Sequence, residues 1–189
     1  MPNLTTHIHF ALLFAERTRY DIPLAAFVEG AVAPGLRSES DVFMAPHGMN
    51  HAAATDPRML YKERKESDMD SYGFRLGYLS HCFLDHHFAA YREEIFLFQS
   101  PLKKERMRRV SLAEQIDIMH MKEYESDLRR LAEQYGTAFT DLYHTVSVPE
   151  DTCMEIAQDY ESLMLGLVEK FIQFLKALEA MSASDDFVL

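Results

Sequence analysis

Tryptophan is absent from these 189 residues, and cysteine occurs only twice, at Cys82 and Cys153. Two thiols cannot supply the disulfide framework of a small secreted domain, so both are expected as small buried residues. Glycine and proline are scarce, seven of each. An all-β chain of this length would need many more turns. Positive charge is short as well. Nineteen Lys and Arg against 30 Asp and Glu leave a net charge of −11, which repels phosphates and argues against nucleic acid duplexes as partners. No apolar run approaches the length of a membrane span, about 20 residues. The first twenty residues have no basic region before their apolar ones and no small-residue cleavage site. No signal peptide is expected, and the cytoplasm is the predicted compartment. A Walker loop, a GxGxxG turn and a Ser or Cys nucleophile signature are all missing.

What is present is 48% hydrophobic residues arranged with helical periodicity. The pattern predicts one all-α domain over residues 1–189, a multi-helix bundle whose tail, 181–189, is frayed. A first helix runs from Leu4 to Thr18. A second starts at Asp21 as N-cap, carries Pro23 in its first turn and ends near Ala33-Pro34-Gly35. Residues 36–55 lose the pattern and read as a loop, and loops that long are usually functional or disordered. Asp56-Pro57 opens a short helix. The longest helix is expected from Asp68 to Gln99, stopped by Ser100-Pro101. Ser111-Leu112-Ala113-Glu114 reads as a capping box opening a helix to Tyr135, and a short turn of helix is expected at Phe139–Tyr143. A second box at Ser147–Glu150 opens a last helix to Met181. Its Met and Phe stripe suits core packing or a homodimer contact.

The most informative stretch is Gly77–Phe88, GYLSHCFLDHHF. His81 and Asp85 stand four residues apart and so lie one above the other on a single helix face. At 100° per residue they fall amid an apolar stripe of Phe74, Gly77, Tyr78, Leu84 and Phe88, which continues to Arg92. This apolar helix is expected at the buried centre of the bundle. An imidazole and a carboxylate stacked this way can ligate a divalent metal; they can equally form a hydrogen-bonded pair that holds a core helix in register. A buried carboxylate needs a partner, and Arg92 competes with a metal for that role.

On the first helix, His7 shares a stripe with Leu4, Ala11 and Phe14, whereas His9 is rotated by roughly 160°. A lone histidine on an apolar face is more often a satisfied core residue than a ligand. The long loop adds Asp41, His47 and His51, the last two spaced HxxxH. Asp117 with His120, and Asp141 with His144, have ligand-like spacing but suit exposed positions too. The basic run Lys103 to Arg109 suits a solvated helix face better than a phosphate site.

In order, a first-helix histidine, a helix end reading GAVAP, a loop histidine and then GYLSHCFLD resemble the zinc-dependent phospholipase C / S1-P1 nuclease family. The likeness is closest to its short bacterial members without signal peptides and covers roughly Met1 to Tyr91. It implies an all-α fold with metal ligands converging from several helices and a loop. His81 and Asp85 match the family's HxxxD ligands, His51 its loop histidine and His7 its N-terminal one. Gly35 stands where the family usually has a metal-bridging Asp, the N-terminal Trp ligand of the secreted enzymes is missing, and their further His and HxxxE ligands have no counterpart. The resemblance therefore implies a reduced site rather than three zinc ions.

The expected function is a zinc-dependent phosphoester hydrolase acting on a small-molecule phosphoester. His51, His81 and Asp85, with His7 nearby, would hold the metal, and Asp41 is the candidate general base. Ni²⁺ or Fe²⁺ would also suit the ligands. The alternative is a non-catalytic helical protein whose His/Asp cluster is structural or binds metal without hydrolysis. An HD-type phosphohydrolase fits poorly, because that family needs His before Asp and the order here is Asp85-His86.

Overall fold

The computed structural model describes residues 3–18, 21–36, 56, 59–60, 62, 68–91, 102–122, 124, 128 and 154–183. Among them there is no strand. Five helices account for almost all of the chain described: α1 (Leu4–Arg17), α2 (Leu24–Leu36), α3 (Met69–Phe88), α4 (Lys103–Lys122) and α5 (Met154–Ala183). No described helix is long and apolar enough to cross a membrane.

The termini follow local chemistry. Asn3 caps α1 by accepting the Thr6 amide at 2.9 Å, and Asp68 caps α3 by accepting the Ser71 amide at 3.3 Å. Three boundaries differ from the sequence reading. Helix α2 begins at Leu24, with the Phe27 amide bonded to the Pro23 carbonyl at 3.0 Å, so Asp21 precedes the helix rather than capping it. Helix α3 ends at Phe88 and tightens into a 3₁₀ turn, Ala89–Tyr91, instead of running on as α-helix. Helix α4 begins at Lys103, and the Ser111–Glu114 box lies inside it. The basic run is itself a good helix former, held by Glu105 within 3.2 Å of Arg109 and 3.6 Å of Arg108.

The centre of the bundle falls to α1 rather than α3. Every residue from Thr5 to Phe14 is buried, and α1 touches all four other helices. Phe10 and Phe14 meet the Phe171 ring of α5, Phe14 also meets Phe27 of α2, and Phe83 of α3 closes on Phe10 and Phe171. Such tilted ring pairs add about 0.5–1.5 kcal/mol each beyond area burial. On α5 the predicted stripe is core at Met164, Leu167 and Phe171, while Phe174 is partly exposed.

The tightest contact is between α2 and α3, where backbone meets backbone. A Cβ on Gly77 would overlap the Phe27 carbonyl oxygen, and one on Gly30 would overlap the Phe74 carbonyl oxygen. Only glycine at these two positions lets the axes come this close. The closeness brings the Ala31 carbonyl of α2 within reach of the His81 ring on α3.

Candidate functional site

His7, His81 and Asp85 converge where α1 crosses α3. One potential ligand atom from each lies within 4.8 Å of the others, and the group can hold a metal ion. Both histidines are buried and Asp85 is partly exposed. Helical spacing stacks Asp85 one turn beyond His81, and the crossing of α1 brings in His7.

Several details suit ligands as well as a hydrogen-bonded pair. His81 Nδ1 donates to the Ala31 carbonyl at 2.7 Å, which fixes the tautomer and leaves Nε2 as a lone pair. That backbone bond is the usual outer support of a metal-ligating histidine. His81 Nε2 stands 3.4 Å from Asp85 Oδ2, and His7 Nε2 stands 3.5 Å from Asp85 Oδ1. Both exceed the span of a good N–H···O bond, about 2.7–3.2 Å. They match the edge of a tetrahedron around zinc, about 3.3–3.4 Å for metal–ligand bonds near 2.0–2.1 Å. His7 Nδ1 and Asp85 Oδ1 are buried with no hydrogen-bond partner. A cation would satisfy the carboxylate oxygen directly.

One feature stands against the ion in this exact arrangement. The His7 and His81 rings stack at 3.7 Å with only 8° between their planes. Near-parallel planes share no point, so an ion on the in-plane lone pairs of both rings requires the stack to open. An ion held by both histidines would require at least one imidazole to rotate.

Electrostatics prepare the ligands for neutral pH. Burial, reinforced by the neighbouring His7, lowers the His81 pKa to about 4, against the pull of Ala31 and Asp85. Burial pushes the Asp85 carboxyl up, but His7 and His81 outweigh it and hold the group below its ordinary value. His81 is therefore neutral and Asp85 ionised at pH 7, the forms that ligate. Burial pushes the Cys82 thiol up to about 11, which makes it inert beside the cluster.

A stability prediction follows for the metal-free protein. Between pH 6.5 and 4 an unfolded His81 takes a proton that the folded one refuses, so the unfolded state binds more protons and stability falls as pH falls. The His81 contribution over that window is about 3 kcal/mol. Urea unfolding at pH 7 and pH 4.5 should show it as a pH slope that largely disappears in His81→Gln. Equal slopes in the two proteins would show that His81 titrates normally.

No family model, curated protein or solved structure matches the chain. The predicted ligand His51 and the predicted base Asp41 lie outside the described residues, as do His47, Arg92 and His144. His86 is exposed and His87 half-buried, both turned away from the cluster as their angles implied. Gly35 sits in the last turn of α2.

A second polar cluster escaped the sequence reading. Asp117, on α4, has 0% exposure rather than the solvent position its spacing suited. It accepts His9 Nδ1 at 2.6 Å and the Tyr160 hydroxyl at 2.8 Å, while the Thr6 hydroxyl has two acceptors in reach, Asn3 Oδ1 at 2.6 Å and Asp117 Oδ2 at 2.8 Å. Thr5 Oγ1 is at 3.5 Å from Asp117 but 2.6 Å from Asn3 Oδ1, so its single proton goes to Asn3. Burial, then the nearby Asp117, raises the Tyr160 pKa well above its ordinary value, which keeps that phenol a donor. The available signal was TTHIH itself: Thr5 and Thr6 lie four and three residues before His9, on one side of the helix.

Proposed function

We propose that the chain is a metal-dependent phosphoester hydrolase with a reduced zinc centre built on His7, His81 and Asp85. The observation that carries this reading is the convergence of potential ligand atoms from His7, His81 and Asp85 within 4.8 Å of one another, with Asp85 Oδ1 buried and without a hydrogen-bond partner. The resemblance in residue order to the zinc-dependent phospholipase C / S1-P1 nuclease family supports the choice of chemistry. Two imidazoles and a carboxylate suit zinc and leave a coordination position open. A zinc ion there supplies a nucleophile at neutral pH and polarises a phosphoryl oxygen.

The chain's own residues do the rest. Asp85 brings negative charge to the cation and, being partly exposed, marks the side from which substrate approaches. His81, anchored through Ala31, holds its Nε2 in place, while the backbone contact of α2 and α3 keeps that anchor rigid. His51 is assigned as a further ligand on the family pattern, and Asp41, which has no counterpart in that pattern, is the candidate general base.

A metal-free structural triad is the second reading, and the near-parallel ring stack favours it. Elemental mass spectrometry on tag-free protein separates the two. The hydrolase reading expects near-stoichiometric zinc, with affinity reduced by more than about a hundredfold in His81→Ala and Asp85→Ala. Hydrolysis of bis(4-nitrophenyl) phosphate should then follow zinc content and stop with chelation. Folded protein that rejects added zinc would establish the triad as structural.

A further inference from the structure

On the opposite flank of α1 from the metal cluster, a cavity of about 360 Å³ opens between α1, α4 and α5. Its volume lies in the range of small-molecule sites, and the space between bundle helices is a usual place for one. His9, Leu13 and Arg17 line it from α1 at i, i+4 and i+8, a single helix face. Ile116 faces them from α4, and Glu161 and Leu165 from α5.

The floor of this cavity has defined chemistry. His9 is 3% exposed, and its Nδ1 is held 2.6 Å from a fully buried carboxylate that also accepts from Tyr160. Asp117 accepts from Nδ1 at this contact, which leaves Nε2 as the remaining polar atom of the ring. Among the described residues Nε2 makes no hydrogen bond. Leu13, Ile116, Met119 and Leu165 give the cavity apolar walls, and His120 lines it as a second imidazole, its ring centroid 4.6 Å from that of His9. At the mouth, Arg17 and Glu161 are both exposed, and neither has an ion pair among the described residues. The cavity therefore combines two imidazoles, apolar walls, and one positive and one negative group.

We infer that this cavity is a second ligand site, taking a small zwitterion whose apolar body ends in a hydroxyl that hydrogen-bonds His9 Nε2. The chemical class is that of a hydroxyphenyl amino acid. Its carboxylate meets Arg17, its ammonium meets Glu161, and its ring lies against Leu13, Ile116 and Leu165. The site uses neither His81 nor Asp85, so it stands or falls separately from the metal centre.

The test is titration calorimetry with 4-hydroxyphenylglycine, phenylglycine and tyramine. The expected result is saturable binding of 4-hydroxyphenylglycine in the millimolar range or tighter. Phenylglycine, lacking the hydroxyl, should bind about tenfold more weakly, and tyramine, lacking the carboxylate, should also lose affinity. Leu165→Trp fills the cavity and should abolish binding. Arg17→Met, at an exposed position that tolerates substitution, should reduce 4-hydroxyphenylglycine to the level of tyramine and leave tyramine unchanged. Absence of binding to the wild type, equal affinity for the two glycines, or binding that survives in Leu165→Trp would each overturn the assignment. Zinc content measured on the same samples should stay constant throughout.

Discussion

Gly77→Ala is expected to destabilise the protein by about 3 kcal/mol or more, a large share of a typical domain's total stability. In an ordinary helix interior the same change stabilises, by about 0.5–1 kcal/mol, because alanine loses less backbone entropy. The sign reverses here because the added carbon would overlap the Phe27 carbonyl oxygen of α2. A backbone atom cannot swing aside as a side-chain tip can, so the whole helix must retreat. The retreat would also carry the Ala31 carbonyl away from His81 Nδ1. One extra methyl group thus strikes both the fold and the imidazole that needs its tautomer fixed. Gly166 on α5 is the internal control: a Cβ there would meet nothing within 4 Å. Gly166→Ala should raise the melting temperature while Gly77→Ala lowers it sharply. If thermal unfolding moved in the same direction for both, the close approach of α2 and α3 would be wrong.

Asp117→Ala should be comparably damaging, at about 3–5 kcal/mol. The residue is fully buried, and its removal takes the acceptor from His9 Nδ1 and the Tyr160 hydroxyl, while the Thr6 hydroxyl keeps Asn3 Oδ1 at 2.6 Å. Each stranded donor retains its desolvation penalty, about 1–3 kcal/mol. Tyr160→Phe removes one donor and leaves the carboxylate with the others, so its loss should be smaller, about 1 kcal/mol. Chemical denaturation of the two variants measures the ratio. Near-equal losses would mean that the tyrosine ring, not the polar network, dominates this part of the core.

The two largest effects differ in how far sequence discloses them. Helical class and the His81–Asp85 pairing are written in local periodicity, which needs no knowledge of neighbours. Periodicity places His7 on an apolar stripe of α1 but does not show that the stripe meets α3; only the resemblance joins His7 to the pair. Asp117 and His9 are 108 residues apart, and no period links them. Gly77 appears on a stripe, yet its role depends on a carbonyl of another helix fifty residues earlier. Local signals also mislead when an element outlasts them. Ser111–Glu114 has the letters of a helix start, but the preceding basic turns are already helical and the hydroxyl finds Gln115 instead.

Helix α1 carries His7 on one flank and His9 on the other, each held by a partner on a different helix. A cylinder about 5–6 Å in radius displaces its surface groups by about 1 Å for every 10° it rolls. Any roll that tightens one imidazole against its carboxylate therefore shears the other. The helix behaves as a balance beam whose two arms are aromatic rings, and neither arm can settle without a response from its opposite.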